Sequence, residues 1–283
     1  MDGGTTWNLA APLAWTLFVW WFSTGLILYL DGLPRRTFPW TMAGATVVLG
    51  LALWGLASTA DDTTVAGAYC AFTCALLVWA WQEVAFLLGY ITGPRRTPCP
   101  PDLPGSRRVW LALQTVIHHE LALVALALAV LAATAGGSNL TGWWTFLILW
   151  TMRQSAKLNV FLGVRNLSES FLPPHLRYLG SYFTRRRMNP LLPVSVLVAG
   201  AFAWPLWVAA LTPRAGAFEV ASATLLAVIL TLAILEHVFL VMPLSLEGLW
   251  RWGLRSHEAA VALSPPAGGA SPAAPPAAQG RPV

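Results

Sequence analysis

Four short clusters of polar and ionisable residues interrupt the long apolar stretches of this 283-residue chain. They are Gln82-Glu83, His118-His119-Glu120, Arg153 with Lys157, and Glu236-His237. In the core of a lipid bilayer, each charged side chain costs about 2.5–3.5 kcal/mol on insertion scales. Such residues persist in membrane helices where they pair with each other, hold a ligand or carry out a reaction. The clusters are therefore the first candidates for a functional site.

The elements that must position these clusters are predicted from composition and from the length of the apolar runs. Hydrophobic residues make up 57% of the chain and charged residues 10%, and the mean hydropathy is +0.62. Soluble domains contain about 25% charged residues, and a helix that spans a bilayer needs about 20 apolar residues. We therefore predict an all-α polytopic membrane helix bundle of about seven transmembrane helices. The predicted spans are about 8–30, 40–58, 65–92, 109–135, 143–163, 191–211 and 217–243.

The distribution of arginine predicts the orientation of the bundle. The loops after the first, third and fifth spans and the segment after the seventh are rich in arginine, whereas the opposite side has Arg214 and the acidic pair Asp61-Asp62. Because basic residues favour the cytoplasmic side, we expect a periplasmic N-terminus and a cytoplasmic C-terminus. The net charge of +5 is then a topology signal. Its spread over separate loops argues against nucleic-acid binding.

Two segments outside the spans have distinct compositions. Within the loop 164–190, apolar residues at helical spacing predict an amphipathic helix at about 174–184 on the inner membrane surface. The basic residues beside it either anchor the topology or form a surface for a partner or a membrane lipid; they are Arg177, Arg185, Arg186 and Arg187. Residues 1–250 then form a single transmembrane domain, and the Ala/Pro-rich tail 264–283 is predicted to be disordered.

The four polar clusters are predicted to lie at a similar depth. Counted along each helix at 1.5 Å per residue, they fall in a layer roughly 9–15 Å from the cytoplasmic edge. Arg153 and Lys157 lie one helical turn apart on a shared face, so both are able to point into the bundle. We expect a buried polar network whose members are Gln82, Glu83, Gln114, Glu120, Arg153, Lys157 and Glu236.

This layer is compatible with four functions. It forms a structural network that fixes helix order, or a pathway for protons or a solute. It also suits a tetrapyrrole pigment or its precursor, whose central metal a histidine nitrogen coordinates; the candidate ligands are His118, His119 and His237. The last alternative is an iron or zinc site, for which the candidate ligands are Glu83, His119, Glu120, Glu236 and His237. The Glu-x-x-His spacing of di-iron bundles is absent, which counts against that alternative.

One long segment resembles a known family. The fourth span contains QTVIHHELALVALA, and the region from the fifth span to the sixth contains RQSAKLNVFLGVRNLSESFLPPHLRYLGSYFTRRRMNPLLPVSV. Together with WQE in the third span and EHVFLVMPL in the seventh, these runs closely resemble the photosynthetic complex assembly protein 2 family (PuhE-type) of phototrophic bacteria. The resemblance covers about residues 10–250 and includes all seven predicted spans.

The resemblance implies a role in assembling the photosynthetic reaction centre and its core light-harvesting complex in the bacterial inner membrane. Members of the family are encoded near the reaction-centre H subunit and are linked to bacteriochlorophyll supply. The expected partners are subunits of the reaction centre and the core antenna. We expect an assembly factor, not an enzyme, that hands over bacteriochlorophyll or a precursor or stabilises nascent subunits. The alternative is a membrane metalloenzyme that acts on a tetrapyrrole, an isoprenoid or a quinone.

Overall fold

The computed structural model describes residues 3–101, 103–167, 169–212, 215–243 and 246–262. Most of these residues are helical. The β-structure among them is one isolated bridge, between Val164 and Arg185. The tail 264–283, for which the sequence predicts disorder, lies outside the described residues. The expectation of an all-helical chain is confirmed for the part of the chain that the structure describes.

Eight α-helices follow one another in the described residues. They are α1 (Gly3–Asp31), α2 (Phe38–Ser58), α3 (Val65–Leu87), α4 (Gly105–Thr134), α5 (Thr141–Leu162), α6 (Leu191–Ala210), α7 (Ala217–Phe239) and α8 (Arg251–Ala262). Short 3-10 helices occupy Arg35–Thr37, Glu169–Phe171, Pro174–Tyr182 and Leu246–Trp250.

Six of these helices are long and apolar enough to cross a membrane, namely α1, α2, α3, α4, α6 and α7. This number confirms the multi-pass membrane character that the composition predicts. The α5 helix is 22 residues long, but Arg153, Gln154 and Lys157 lower its hydropathy. It nevertheless packs against α3, α4, α6 and α7 within the same bundle.

The centre of the bundle is formed by α3 and α7. In α3, half of the most apolar 18-residue stretch is buried, and in α7 the buried share of that stretch is 67%. The corresponding share is 17% in each of α1, α2 and α6. Phe72 of α3 packs with Leu225 and Ile229 of α7 in one core cluster. Small residues of α3 such as Ala68 and Ala75 are fully buried, which allows neighbouring helices to approach closely. The more peripheral helices leave wide apolar faces exposed for lipid.

The loops gather at opposite ends of the bundle. At one end, Asn139 is fully buried, and its side-chain amide donates to the Thr59 and Asp62 carbonyls at 3.2 and 3.1 Å. At the other end, the Arg95 guanidinium donates to the Tyr182 hydroxyl at 2.6 Å, and the Asn166 amide donates to the Phe239 carbonyl at 2.7 Å. The arginine-rich segments therefore meet at a single end, opposite Asp61-Asp62.

The region predicted as an amphipathic helix at 174–184 forms the 3-10 helix Pro174–Tyr182. Its apolar side chains Leu176 and Leu179 are buried against Phe86 of α3. The apolar stripe therefore belongs to a cap over the ends of α3 and α4. The cap is fixed further by Arg108, whose guanidinium donates to the Tyr182 carbonyl at 2.5 Å.

The C-terminal helix α8 returns to pack along α1. A Cβ added at Gly25 would lie 2.1 Å from the Trp252 ring, and one added at Gly253 would lie 2.4 Å from the Gly25 carbonyl oxygen. Only glycine permits such an approach between two helices. Further along α8, His257 Nε2 lies 2.5 Å from a carboxylate oxygen of Asp31. These contacts hold α8 against the second half of α1.

Candidate functional site: a polar layer in the helical bundle

The α5 helix holds the polar layer together through two ion pairs. Arg153 donates to the Glu83 carboxylate of α3 at 2.8 Å, and Lys157 donates to the Glu120 carboxylate of α4 at 2.8 Å. The two basic residues lie one turn apart, so each reaches a different neighbouring helix. The Gln154 amide also donates to Glu120. Within these pairs, each carboxylate has its own cation, so the charge is balanced locally.

The pairing matters because the acidic partners are poorly exposed. The side-chain exposure is 10% for Glu83 and 21% for Glu120, whereas it is 45% for Arg153. An ionised carboxylate that loses its cation in such an environment keeps the full cost of desolvation. The pairs therefore fix which helices lie beside α5, in agreement with a structural function of the layer.

His119 is buried and hydrogen-bonded. The Gln82 amide nitrogen lies 2.8 Å from His119 Nδ1 and 3.0 Å from the His119 carbonyl oxygen. Because the amide donates, Nδ1 accepts, and the neutral ring carries its proton on Nε2. That Nε2 atom is buried without a partner, and the ring packs against Phe86 with centroids 4.6 Å apart. A ligand reaches this ring only if Gln82 or Phe86 moves.

His237 uses both of its ring nitrogens. Nδ1 lies 2.8 Å from the Ala233 carbonyl oxygen, so it donates there. Nε2 is then the acceptor and lies 2.9 Å from the Ser155 hydroxyl of α5. The residue is 2% exposed. Coordination of a metal or pigment by His237 would require breaking the bond to Ser155.

His118 is placed differently from the other two candidate histidines. It is exposed on the outer side of α4 and makes no hydrogen bond within the described residues. It borders a stripe of apolar side chains on the same helix, in which Trp110, Leu121 and Leu128 are each about 60% exposed. An imidazole at this position is accessible from the surrounding lipid without any rearrangement.

Glu236 and Gln114 complete the expected network at its margins. Glu236 is exposed, accepts a hydrogen bond from the Trp20 indole at 2.8 Å, and has no ion pair among the described residues. Gln114 is half-buried, and its carbonyl accepts the Arg95 amide at 3.2 Å. The structure therefore brings together side chains of α3, α4 and α5, namely Glu83, His119, Glu120, Arg153 and Lys157. His237 is bonded to Ser155 of α5, whereas Glu236 is bonded to Trp20 of α1.

Four residues of the layer were not among the sequence-based candidates: Trp20, Gln154, Ser155 and Asn159. Asn159 donates to the Ser195 hydroxyl of α6 at 3.1 Å, so α5 makes polar contacts with four helices. The signal for the three α5 residues was the run RQSAKLN, in which polar side chains extend around about two thirds of the helix circumference. Trp20 carried no such signal, because indoles are common on lipid-facing surfaces.

The candidate metal ligands do not converge. Among the described residues, no group of three or more His, Cys, Asp or Glu side chains is arranged to hold a metal ion. Glu83 and Glu120 are instead paired with Arg153 and Lys157, and His237 is bonded to Ala233 and Ser155. This geometry offers no support for the iron or zinc alternative.

The basic residues of the loop 164–190 are exposed. Arg185 forms an ion pair with Glu169 at 2.8 Å, at 74% and 43% side-chain exposure. The Arg186 side chain packs over Gly163, which adopts a φ of 123°. Arg177 and Arg187 are exposed, and no ion pair involves them in the described part of the chain. The loop thus presents a positive surface at the arginine-rich end.

Together these contacts define a helical membrane protein in which two ion pairs join α5 to α3 and α4. The chain belongs to the family described as a protein of unknown function (DUF3623), whose model matches residues 7–261. Over 249 residues it is 41% identical to a Rhodobacter capsulatus protein described as "Uncharacterized 30.4 kDa protein in puhA 5'region", covering 86% of this chain and 90% of the relative. No solved structure matches the chain.

Proposed function

We propose that the protein is a PuhE-type assembly factor for the photosynthetic reaction centre and its core light-harvesting complex. The support comes from the relative, which is named for its position in the 5' region of puhA. Identity of 41% over most of both chains supports a shared role. The resemblance of the α4 and α5 segments to that family supports the same assignment.

The proposed topology has seven spans, which are the six apolar helices and α5. The N-terminus faces the periplasm, the C-terminus faces the cytoplasm, and the membrane is the bacterial inner membrane. The support is that α5 packs against four of the six apolar helices, and that the arginine-rich segments meet at one end. The ion pairs of Arg153 and Lys157 reduce the cost of placing these two charges in the bilayer.

The proposed action is presentation of bacteriochlorophyll or a precursor on the outer face of α4. His118 is the proposed ligand of the central magnesium, and the apolar stripe beside it would contact the macrocycle or a client helix. The single observation that carries this proposal is the exposure of His118, whose ring nitrogens make no hydrogen bond in the described part of the chain. His119 and His237 are proposed as positioning residues, because their nitrogens are buried or already bonded.

The ion-paired layer would keep α4 fixed while its outer face is occupied. Glu120 of α4 is held by Lys157, and His119 on the same turn is held by Gln82. These two contacts lie immediately beside His118 in sequence, so they set the rotation of α4 about its axis. A fixed rotation keeps His118 turned toward lipid, where a newly inserted helix or a pigment would arrive.

The proposed partners are subunits of the reaction centre and of the core antenna. Their membrane helices would pack on the exposed face of α4. Their cytoplasmic parts would contact the basic surface of the loop 164–190, which comprises Arg177, Arg185, Arg186 and Arg187. The exposure of these four residues supports this assignment.

The test is purification of wild type and His118→Ala from a phototrophic host in mild detergent, followed by an absorption spectrum and metal analysis. We expect pigment absorbance to accompany the wild type and to fall at least about fivefold in His118→Ala, at equal protein abundance. Leu197→Ala, on the exposed face of α6 and outside the stripe beside His118, is the control and should retain the pigment.

Two results would contradict the pigment proposal. One is full pigment retention by His118→Ala, and the other is a wild-type protein that carries no pigment. Tightly bound iron or zinc in the wild type would instead support the metalloenzyme alternative.

A further inference from the structure

A cavity of about 330 Å³ lies at the arginine-rich end, between the start of α2, the end of α3 and the 3-10 helix Pro174–Tyr182. Its polar lining consists of Arg35, Tyr90, Thr92, Arg96, His175 and Tyr178. No residue of the polar layer described above contributes to the lining. Gly89 also lines the cavity, with a φ of 82°. A Cβ there would lie 3.1 Å from the His175 ring.

The charge of the cavity is positive. Arg35 and Arg96 are exposed, no carboxylate is among the lining residues, and no ion pair involves either arginine in the described ranges. Arg96 donates to the Gly89 carbonyl at 3.3 Å, which keeps its guanidinium at the rim. Two unneutralised guanidinium groups beside one cavity form a favourable site for an anion with several acceptor oxygens.

The inner wall supplies neutral hydrogen-bonding groups. The Tyr178 hydroxyl is buried beside Thr92, and neither hydroxyl has a hydrogen-bond partner within the geometric limits among the described residues. Thr92 is 1% exposed. Burial raises the pKa of Tyr178, so this hydroxyl stays protonated and is able to donate. Buried polar groups without partners are uncommon in native proteins, and a bound ligand is one explanation for them.

His175 responds to the same positive field. Its Nε2 lies 2.8 Å from the Leu87 carbonyl oxygen, to which it donates. Burial lowers the pKa of His175, and the nearby charges of Arg35 and Arg96 lower it further. The cavity therefore disfavours an additional proton, as expected where positive charge lacks a counter-ion.

We infer that this cavity binds a phosphate group, as a phosphate monoester or diester. Arg35 and Arg96 would contact the charged oxygens at the rim, and the hydroxyls of Thr92 and Tyr178 would donate from the inner wall. Two sources supply such a group at this end of the bundle: the headgroup of an anionic phospholipid, or a soluble phosphorylated molecule. The inference does not depend on the pigment proposal, because it uses none of the same residues.

The experiment measures binding to the full-length protein in two arms. In the first arm, the protein in nanodiscs is compared in phosphatidylglycerol and phosphatidylcholine, and the lipids retained after extraction are counted by native mass spectrometry. In the second arm, inorganic phosphate is titrated against the detergent-solubilised protein at constant ionic strength, and the melting temperature is followed. Retention of phosphatidylglycerol identifies a lipid headgroup, and a rise in melting temperature with phosphate alone identifies a soluble ligand.

The decisive variants are Arg35→Gln combined with Arg96→Gln, and Tyr178→Phe. Loss of a charge-assisted hydrogen bond weakens binding about tenfold, so the double variant should bind at least about tenfold more weakly. Tyr178→Phe should bind about three- to tenfold more weakly. The matched control is Arg36→Gln, which removes the neighbouring exposed arginine that does not line the cavity.

The inference is overturned if Arg36→Gln weakens binding as much as the double variant with Arg35→Gln and Arg96→Gln, because the effect would then be one of general surface charge. It is also overturned if neither arm detects binding to the wild type. Size-exclusion profiles of all variants establish that a loss of binding does not reflect misfolding.

Discussion

Glu83 and Glu120 illustrate how single residues decide the arrangement of helices in this protein. Each carboxylate is poorly exposed and meets a base from α5 at 2.8 Å. Inside a bilayer the alternative to pairing is an isolated charge, which is far more costly than a mismatched apolar contact. The two ion pairs therefore fix the position of α5 between α3 and α4, including its rotation about its own axis and its depth.

At this scale we predict that Arg153→Gln lowers the free energy of unfolding by about 3–5 kcal/mol, because Glu83 is left buried without its cation. The measurement is unfolding in mixed micelles, monitored by circular dichroism. Arg185→Gln breaks the exposed pair with Glu169 and should cost less than about 1 kcal/mol, which makes it the matched control.

A double-mutant cycle distinguishes the interaction energy of the Glu83–Arg153 pair from the effect of each residue on its other neighbours. Adding Glu83→Gln to Arg153→Gln removes the stranded charge, so we expect the double variant to be more stable than Arg153→Gln alone. Equal or lower stability of the double variant would show that Glu83 is not ionised in the folded protein, or that other groups neutralise it.

At the scale of elements, the apolar runs predicted where helices lie better than where they end. The predicted third span extended to 92, but α3 ends at Leu87, because the chain turns at Gly89 with a φ of 82°. The short helix α8 was not predicted, since its twelve residues mix charged and apolar side chains without an apolar run. Its position against α1 depends on the close approach at Gly25, which no periodicity reveals.

The docking of α8 should depend on pH. The hydrogen bond to Asp31 raises the pKa of His257, while burial acts in the opposite direction. Because folding raises the pKa of His257, protonation of this residue stabilises the folded protein fully when the pH is below the ordinary pKa of 6.5. This stabilisation is lost as the pH rises through the raised pKa. We therefore expect α8 to become more accessible to protease as the pH increases from about 6 to 9.

Limited proteolysis in detergent at fixed temperature measures this accessibility. His257→Ala should abolish the pH dependence and leave α8 as accessible at pH 6 as the wild type is at pH 9. The groups that act on His257 are Asp31 and Arg177. An unchanged slope in the His257→Ala variant would assign the pH dependence to another group.

For the whole molecule, the sequence predicted the class of helical membrane protein, because that class follows from composition and from the length of the apolar runs. It did not predict which acid meets which base, since pairing depends on tilt and on the rotation of each helix. It also placed three histidines together as candidate ligands. The structure separates them into one exposed ring, His118, and two whose ring nitrogens are bonded or buried.

The proposed topology makes a prediction for the whole chain. Residues Asp61 and Arg187 are both exposed and are separated by α3, α4 and α5. If all three helices cross the membrane, a membrane-impermeant maleimide should label Asp61→Cys in spheroplasts, and Arg187→Cys only after permeabilisation. The native cysteines Cys70, Cys74 and Cys99 are replaced by serine beforehand.

Labelling of both sites from the same side would mean that α5 does not cross the bilayer. Labelling of Arg187→Cys alone in spheroplasts would indicate the opposite orientation of the protein in the membrane. Both results would require a different explanation for the arginine-rich end.

The order of the ion-pair partners along the chain has a consequence for biogenesis. Synthesis proceeds from the N-terminus, so Glu83 and Glu120 leave the ribosome before Arg153 and Lys157 have been made. A nascent chain that has inserted only its first four helices therefore carries two acids whose bases do not yet exist. Those acids must remain protonated, or be shielded by the insertion machinery, until the fifth helix arrives and completes a stable product.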